Sequence, residues 1–127
     1  MRSATIKIFF DGGCRPNPGQ METAVVARGM TYHRPDCGVG SNNDAEWLAL
    51  IHATEIARAI GTRDVVMLGD SAFVVGQANG KTKLRTAEFQ TYFERFRNLA
   101  GDFERIKIRK IARTQNLAGI ALAKARL

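Results

Sequence analysis

The segment from Thr5 to Gly19 constrains the fold of this chain more than any other. In its first half, Ile6, Ile8 and Phe10 occupy every second position, and this period of two predicts a β-strand. Its second half contains three glycines and two prolines, which indicates a turn and excludes regular secondary structure. The carboxylate of Asp11 therefore lies where an apolar strand meets a glycine-rich turn. It is either a turn-forming residue or a metal ligand.

The strongest helical periodicity in the sequence runs from Asn43 to Ile60. Apolar residues cover more than one side of this predicted helix, so most of it should be buried. Asn42, Asn43 or Asp44 is expected to cap its start. Glu46 then lies in the first turn, where the helix dipole stabilises an acid whether or not the acid has a function.

A second acid follows a second apolar strand. Residues 65–68 are consecutive apolar side chains, which predicts a central strand, Asp64–Asp70, covered on both faces. Asp70 ends this strand and precedes a short predicted helix, Ala72–Gln77, for which it could serve as a simple N-cap. Asp70 thus repeats the arrangement of Asp11 at the end of another strand.

The remaining segments complete an α/β pattern. The sequence predicts a short strand, its hairpin partner, an amphipathic helix, a half-exposed strand and a final helix at Ala24–Ala27, Thr31–Val39, Glu88–Ala100, Phe103–Ala112 and Thr114–Ala125. This order predicts a mixed sheet with helices packed on its faces. Because sites in open α/β sheets form outside strand ends, Asp11 and Asp70 are candidates for a shared site.

The net charge of +7 is concentrated near the end of the sequence. Residues 1–104 carry twelve basic and twelve acidic side chains, whereas residues 105–127 carry seven basic side chains and no acid. This segment is either a solvated face or a surface that faces phosphates, because clustered lysines and arginines bind polyanions by releasing counterions. The one-sided distribution favours the phosphate-facing surface.

Three carboxylates, those of Asp11, Glu46 and Asp70, are predicted to meet at one end of the sheet. Clustered carboxylates repel one another unless a cation lies among them. Their hard oxygens suit Mg²⁺ or Mn²⁺, and zinc is disfavoured because His33 and His52 have no ligand spacing between them or with a cysteine. A structural domain whose acids are only caps and turns is the alternative, but it does not explain the convergence of three acids.

Three short motifs in order along the chain carry a family resemblance. They are Asp11–Gly19, Asn42–Glu46 and Gly69–Ser71. They resemble the DG(S/A)xxxNPG turn, the TNNxAE helix start and the DS strand end of type 1 ribonuclease H, and the resemblance covers nearly the whole chain. It implies a ribonuclease H-like α/β domain of residues 1–127, with a five-stranded mixed sheet whose first three strands are antiparallel and with helices on both faces.

The resemblance also implies an activity, the hydrolysis of the RNA strand of RNA–DNA hybrids with Mg²⁺ or Mn²⁺ to leave 5′-phosphate ends. Asp11, Glu46 and Asp70 match three of the four metal-binding carboxylates of the family. Asn17, Asn42 and Asn43 match positions that face the hybrid and its minor groove in the family, and a role as a turn or cap residue is the alternative for each. Ser71 and Arg113 are further candidates for nucleic-acid binding, and Arg113 occupies the place where some relatives have a histidine on a flexible loop. Contacts to 2′-hydroxyl groups are how a protein distinguishes RNA from DNA.

The sequence departs from the family in its last motif. Arg113–Gly119 resembles the segment RxxNxxAD, but Gly119 stands where the family has its fourth aspartate, and no acid follows Glu104. The three remaining carboxylates could still hold one ion. An alternative function is therefore a nucleic-acid-binding module on the same scaffold, with weakened or lost catalysis. Arg113 is expected to contact a substrate phosphate or to assist product release.

The two cysteines, Cys14 and Cys37, lack CxxC spacing, which predicts reduced thiols in a cytoplasmic protein. No apolar run approaches the length of a membrane span, and no apolar signal segment precedes the first strand. We expect a cytoplasmic monomer whose partner is an RNA–DNA hybrid and not a membrane.

Overall fold

The computed structural model describes residues 4–126. Within this range the strands are β1 (Ile6–Cys14), β2 (Gly19–Ala27), β3 (Met30–Arg34), β4 (Val39–Gly40), β5 (Asp64–Gly69) and β6 (Arg105–Lys110). The helices are α1 (Asn42–Ile60), α2 (Ala72–Ala78), α3 (Ala87–Ala100) and α4 (Leu117–Ala125), and a 3₁₀ turn, Arg113–Gln115, precedes α4. None of the helices in residues 4–126 combines the length and the apolar character that crossing a membrane requires.

The strands form a mixed sheet in the order β3-β2-β1-β5-β6. β1 pairs antiparallel with β2, and β2 pairs antiparallel with β3. β5 is parallel to both of its neighbours, β1 and β6. The predicted five-stranded mixed sheet with its first three strands antiparallel is confirmed. The predicted hairpin strand Thr31–Val39 divides into β3 and the two-residue strand β4, which pairs with the start of β2.

Helices cover both faces of the sheet. Successive residues of a strand point to opposite sides, so the strands contribute side chains to a core on each face. Ile8 and Phe10 of β1 pack in the large core that includes α1, α2 and α3. On the other face, Ala24 and Val26 of β2 pack against α4 through Ala118. The sheet therefore separates a thick layer of three helices from a thin layer made by α4.

An aromatic cluster around Trp47 holds α3 and α2 against α1. The rings of Tyr92, Phe93 and Phe96 lie with their centroids 6.3–6.4 Å from the fully buried Trp47 ring. The indole N–H of Trp47 donates to Oε1 of Gln77 at 2.7 Å, which joins α1 to α2. These contacts fix the helix that carries one of the candidate acids.

The first strand is longer than the sequence predicts. The expectation that regular structure is absent from Gly12 to Gly19 is wrong, because Gly12–Cys14 continue β1 and β2 begins at Gly19. The physical reason is close packing. A Cβ atom on Gly12 would collide with the backbone carbonyl of Ala45 in α1. Glycine therefore lets the helix approach the strand backbone here, and a turn is confined to residues 15–18.

The cap predicted for α1 is also wrong. Ser41 is the N-cap, with its Oγ accepting from the Asp44 N–H at 3.2 Å, while Oδ2 of Asp44 accepts from the Ser41 N–H at 2.9 Å. This reciprocal pair is a capping box, and it displaces Asn42 and Asn43 into the helix. The helix begins one residue earlier than predicted, so Glu46 lies in the second turn and is not a first-turn acid.

Two further helix starts differ from the prediction. Ser71 caps α2 by accepting from the Val74 N–H at 3.1 Å, so Asp70 is not the cap of that helix. The continuous helix predicted for Thr114–Ala125 is interrupted at Asn116, whose side chain caps α4. Without a capping role, the carboxylate of Asp70 has no explanation in local structure alone.

Candidate active site

β1 and β5 bring two of the candidate acids together. The strands are adjacent and parallel, with Phe9 opposite Leu68, and Asp11 and Asp70 each lie two residues farther along. Glu46 approaches from α1. One carboxylate oxygen from each of the three acids lies within 4.8 Å of the others. The structure thus places the three candidate ligands close enough to share one cation.

A cleft of about 490 Å³ opens at these acids. It is walled by the end of β1, the start of α1, the segment after β5, the 3₁₀ turn and α4. Its lining includes Asp11, Gly13, Asn42, Asn43, Glu46, Asp70, Ser71, Arg113, Gly119 and Arg126. Asn17 is the one predicted site residue that lies outside this lining.

Glu46 is the most buried of the three acids, with 6% of the residue exposed. The backbone N–H of Gly12 donates to its Oε1 at 2.7 Å. Its Oε2 is buried, and no N–H or hydroxyl group within residues 4–126 donates to it. Burial, and then the negative charge of Asp11, raises the pKa of Glu46 well above its ordinary value. One oxygen is therefore fixed by the strand backbone, and the other is an acceptor that a cation would satisfy.

Burial also raises the pKa of Asp11, and the negative charge of Asp70 acts in the same direction. A hydrogen bond with the Glu46 carboxyl lowers the pKa of Asp11, as do the guanidinium groups of Arg113 and Arg126, but they do not reverse the shift. Two neighbouring carboxyl groups with raised pKa values indicate a site in which the protein alone stabilises the charged forms poorly. A divalent cation supplies the missing positive charge, and a donor set made only of carboxylate oxygens fits a hard cation.

Asp70 is held by a fully buried side chain, that of Asn116. The Nδ2 group of Asn116 donates to Oδ2 of Asp70 at 2.9 Å and to the carbonyl oxygen of Phe10 at 3.0 Å. Its Oδ1 accepts from the Ala118 N–H at 3.1 Å. Asn116 therefore ties β1, the end of β5 and α4 together at the site. Sequence reasoning missed this role, although an Asn before a helix is a signal for an N-cap.

Gly119 faces Asp11 across the cleft. A Cβ atom at Gly119 would lie 3.4 Å from Oδ2 of Asp11 and 3.8 Å from Cβ of Asn116, at ordinary contact distances. A side chain at position 119 would therefore enter the acidic cluster. The position that the family resemblance assigns to a fourth acid is adjacent to the cluster and has no side chain.

The three predicted asparagines differ in their surroundings. Oδ1 of Asn17 accepts from the backbone N–H of Asn42 at 3.1 Å, which connects the loop after β1 to the start of α1. Oδ1 of Asn42 accepts from the backbone N–H of Cys14, also at 3.1 Å. Asn43 is exposed and lines the cleft. Asn17 and Asn42 thus order the loop and helix on which Asn43 is presented.

Two more predicted residues, Ser71 and Arg113, lie at the opposite rim. Arg113 is exposed at the start of the 3₁₀ turn, and Ser71 follows Asp70 directly. Arg126 was not predicted as a site residue, yet it lines the cleft from the end of α4. Only its place in the basic terminal segment could have pointed to it, because the direction of a long side chain at a helix end is set by tertiary contacts.

A family of proteins described as reverse transcriptase-like matches residues 9–126 of this chain. The chain belongs to this family. The matched range contains the three acids, Gly119 and Arg126, so the reverse transcriptase-like domain includes every residue of the cleft described above.

Two curated relatives match this reverse transcriptase-like chain along most of its length, and the name of one of them is ribonuclease HI. Ribonuclease HI of Halobacterium salinarum is 32% identical over 127 residues, which cover 96% of this chain and 64% of the relative. The bifunctional protein Rv2228c of Mycobacterium tuberculosis is 29% identical over 124 residues, which cover 93% of this chain and 34% of the relative. The chain therefore spans about a third of the mycobacterial protein and just under two thirds of the halobacterial one.

Solved structures of RNase H1 proteins have the same fold as this chain. The crystal structure of RNase H1 from Halobacterium salinarum matches with a TM-score of 0.87 at 29% identity, over 94% of each chain. LC11-RNase H1, solved in complex with an RNA/DNA hybrid, matches with a TM-score of 0.81 at 27% identity, over 96% of this chain and 99% of that one. The resemblance to type 1 ribonuclease H and the predicted fold are confirmed.

Proposed function

We propose that this chain is a divalent-metal-dependent endoribonuclease that hydrolyses the RNA strand of RNA–DNA hybrids and leaves 5′-phosphate ends. The observation that carries the proposal is the convergence of Asp11, Glu46 and Asp70, whose oxygens lie within 4.8 Å of one another, in a chain related to ribonuclease HI. We propose Mg²⁺ or Mn²⁺ as the cofactor, because the candidate ligands are all carboxylate oxygens.

In this proposal Asp11, Glu46 and Asp70 hold the ion. A bound divalent ion activates water at neutral pH and neutralises charge that develops on a phosphodiester. The protein contributes the geometry. The Gly12 N–H orients Glu46, and the Asn116 amide orients Asp70, so two of the three ligands are fixed before any ion arrives.

The rims of the cleft are proposed to bind the hybrid. Asn42 and Asn43 on one side, and Ser71 and Arg113 on the other, offer amide, hydroxyl and guanidinium groups to sugar hydroxyls and phosphates. Asn17 supports this rim through its bond to Asn42. The hybrid bound in the LC11-RNase H1 complex supports the choice of substrate by analogy.

A second candidate function is a nucleic-acid-binding module without catalysis. Gly119 favours it, because the position beside Asp11 that could provide a fourth ligand has no side chain. The two functions share the cleft and the substrate, and differ only in whether the phosphodiester is cut.

Cleavage of a labelled RNA–DNA hybrid in Mg²⁺ and in Mn²⁺ tests the proposal. We expect 5′-phosphate products from the unmodified protein, and a rate at least about 100-fold lower for Asp70→Asn, because a ligand worth several kcal/mol in the transition state is lost. Asp102→Asn is the matched control, since Asp102 is exposed and paired with Arg58 outside the cleft. Circular dichroism checks that both variants are folded.

The outcomes separate the candidate functions. Equal cleavage by Asp70→Asn, with contaminating nuclease excluded, contradicts the assignment of Asp70 as a ligand. Tight binding of the hybrid without cleavage in either metal favours the binding module.

We also propose that residues 1–127 act as one domain, as a monomer, in the cytoplasm. All three candidate ligands come from one chain, so the site does not need a second subunit. Cys14 and Cys37 are both free thiols, which suits a reducing compartment.

A further inference from the structure

Arg126 forms one end of the cleft, directly after α4. Its Nε donates to Oε1 of Glu22 in β2 at 3.1 Å, and its side chain is 22% exposed. Its Nη2 is buried and has no hydrogen-bond partner in the part of the chain that the structure describes. A buried guanidinium N–H without an acceptor is unfavourable, so this atom needs a partner that the folded chain does not supply.

The Nη2 group of Arg126 lies against the end of β1, beyond Asp11. A Cβ atom on Gly13 would be 3.1 Å from this nitrogen. Gly13 and Asp11 are two residues apart on β1, so they lie on the same face of the strand. Gly119 and Arg126 are seven residues apart on the last helical segment, so they lie on the same face of it. Gly119 of α4 therefore places no side chain opposite Asp11. Arg126, directly after α4, places its guanidinium opposite Gly13.

The ion pair with Glu22 satisfies Nε of Arg126 but not its Nη2. Glu22 also has Nε2 of His33 at 3.7 Å from the same oxygen that accepts from Arg126. The bond to Glu22 is made through Nε alone, and Nη2 has no acceptor within residues 4–126. A purely structural link between α4 and β2 would leave a buried donor unsatisfied, whereas a ligand oxygen in the cleft would satisfy it.

We propose that Arg126 binds a backbone phosphate of the RNA–DNA hybrid through Nη2. This inference rests on the proposed function, since it names a contact within the same cleft. A planar guanidinium held on one side by a carboxylate is well suited to a phosphate oxygen on the other. It also places a fixed positive charge in a cleft that has three acids and no fourth one at Gly119.

Binding of a fluorescent RNA–DNA hybrid in EDTA, measured by anisotropy over a series of salt concentrations, tests the contact without cleavage. We expect Arg126→Gln to weaken binding about tenfold at low salt. The slope of log K against log salt should fall by about 0.7–0.9, the value for one lost phosphate contact. Arg58→Gln is the matched control, because Arg58 lies in the last turn of α1 and its Nε lies 3.0 Å from Oδ2 of Asp102.

Glu22→Gln separates a phosphate contact from a structural link. It breaks the ion pair but keeps the guanidinium, so we expect a lower melting temperature with an unchanged salt slope. The inference is overturned if Arg126→Gln binds the hybrid with unchanged affinity and slope, or if Glu22→Gln loses as much affinity and slope as Arg126→Gln does. Failure of the unmodified protein to bind any hybrid, in EDTA and in Mg²⁺ alike, would instead refute the proposed function, so the two failures are distinguishable.

Discussion

Helices α1 and α4 form two walls of the cleft around the three acids, and these walls differ in how they are held. The α1 wall, formed by Asn42, Asn43 and Glu46, belongs to a helix of 19 residues that starts with a capping box and packs backbone to backbone on β1 at Gly12. The α4 wall, formed by Asn116, Gly119 and Arg126, belongs to a helix of nine residues on the thin side of the sheet.

This difference shows where the site is fixed and where it is open to change. The α1 wall supplies a buried ligand held by a backbone N–H, and its position follows from the core of the protein. The α4 wall supplies no ligand but holds Asp70 through Asn116 and carries Arg126 at its end. The first wall keeps the acid of its family motif at Glu46, whereas the second has Gly119 where the family has its fourth aspartate.

The largest difference in stability is expected between substitutions at two adjacent glycines of β1, Gly12, which packs against α1, and Gly13, which lies against Arg126. Gly12→Ala places a Cβ against the backbone of Ala45, which cannot move without shifting α1, so we expect a loss of about 3 kcal/mol in the free energy of unfolding. Gly13→Ala meets the end of the Arg126 side chain at 3.1 Å and Oδ1 of Asn42 at an ordinary contact distance of 3.6 Å, and should cost about 1 kcal/mol or less. Urea denaturation of both variants measures the difference, and equal losses would break the comparison.

Low pH should destabilise the fold through protonation of His52, which lies where α1 packs on β2. Burial, and then the positive charge of Arg34, lowers the pKa of His52 from 6.5 to about 4, while Glu55 opposes the shift. Its Nδ1 lies 2.8 Å from Oγ1 of Thr23, in a buried contact between α1 and β2. Because the unfolded chain binds the proton more readily, stability is retained above pH 6.5 and falls as the pH drops towards 4.

We expect this single group to account for about 2–3 kcal/mol across that range. The measurement is the free energy of unfolding as a function of pH for the unmodified protein and for His52→Gln. The variant should show a shallower decline between pH 6.5 and 4. Parallel curves would show that His52 is not the group that makes the α1 side sensitive to acid.

The smallest expected effect is on the α4 wall itself. Gly119→Asp places a carboxylate beside Asp11, and we expect a cleavage rate about tenfold higher, equivalent to about 1.4 kcal/mol, together with tighter binding of the metal in calorimetry. Gly119→Ala is the control, since it should stabilise α4 by about 1 kcal/mol without raising the rate. A gain shared by both variants would mean that helix stability, and not the missing ligand, limits the reaction.

Much of this molecule could be predicted because the signals are local. The apolar run before Asp70 and the alternation before Asp11 predict two strands that each end at an acid, and the helical periodicity after Asn43 places Glu46 near the start of a long buried helix. The extension of β1 through Gly12 could not be predicted from a glycine count, because the same residue that permits a turn also permits close approach of a helix.

Contacts between distant residues account for what the sequence does not predict. The bond from Asn116 to Asp70 joins residues 46 positions apart, and the pair of Glu22 and Arg126 joins residues 104 positions apart. The motif predicts that Asn17 contacts the substrate, but it does not predict that the side-chain oxygen of Asn17 accepts from the backbone of Asn42. Each of these partners is selected by packing of the whole domain, which no short segment records.

Asn116 has one consequence beyond orienting a ligand. The same side chain starts α4 and restrains Asp70, so fraying of that helix and loss of order at Asp70 are coupled events. A divalent ion that fixes the carboxylate of Asp70 should therefore slow amide hydrogen exchange along α4, a helix that provides none of the three candidate ligands.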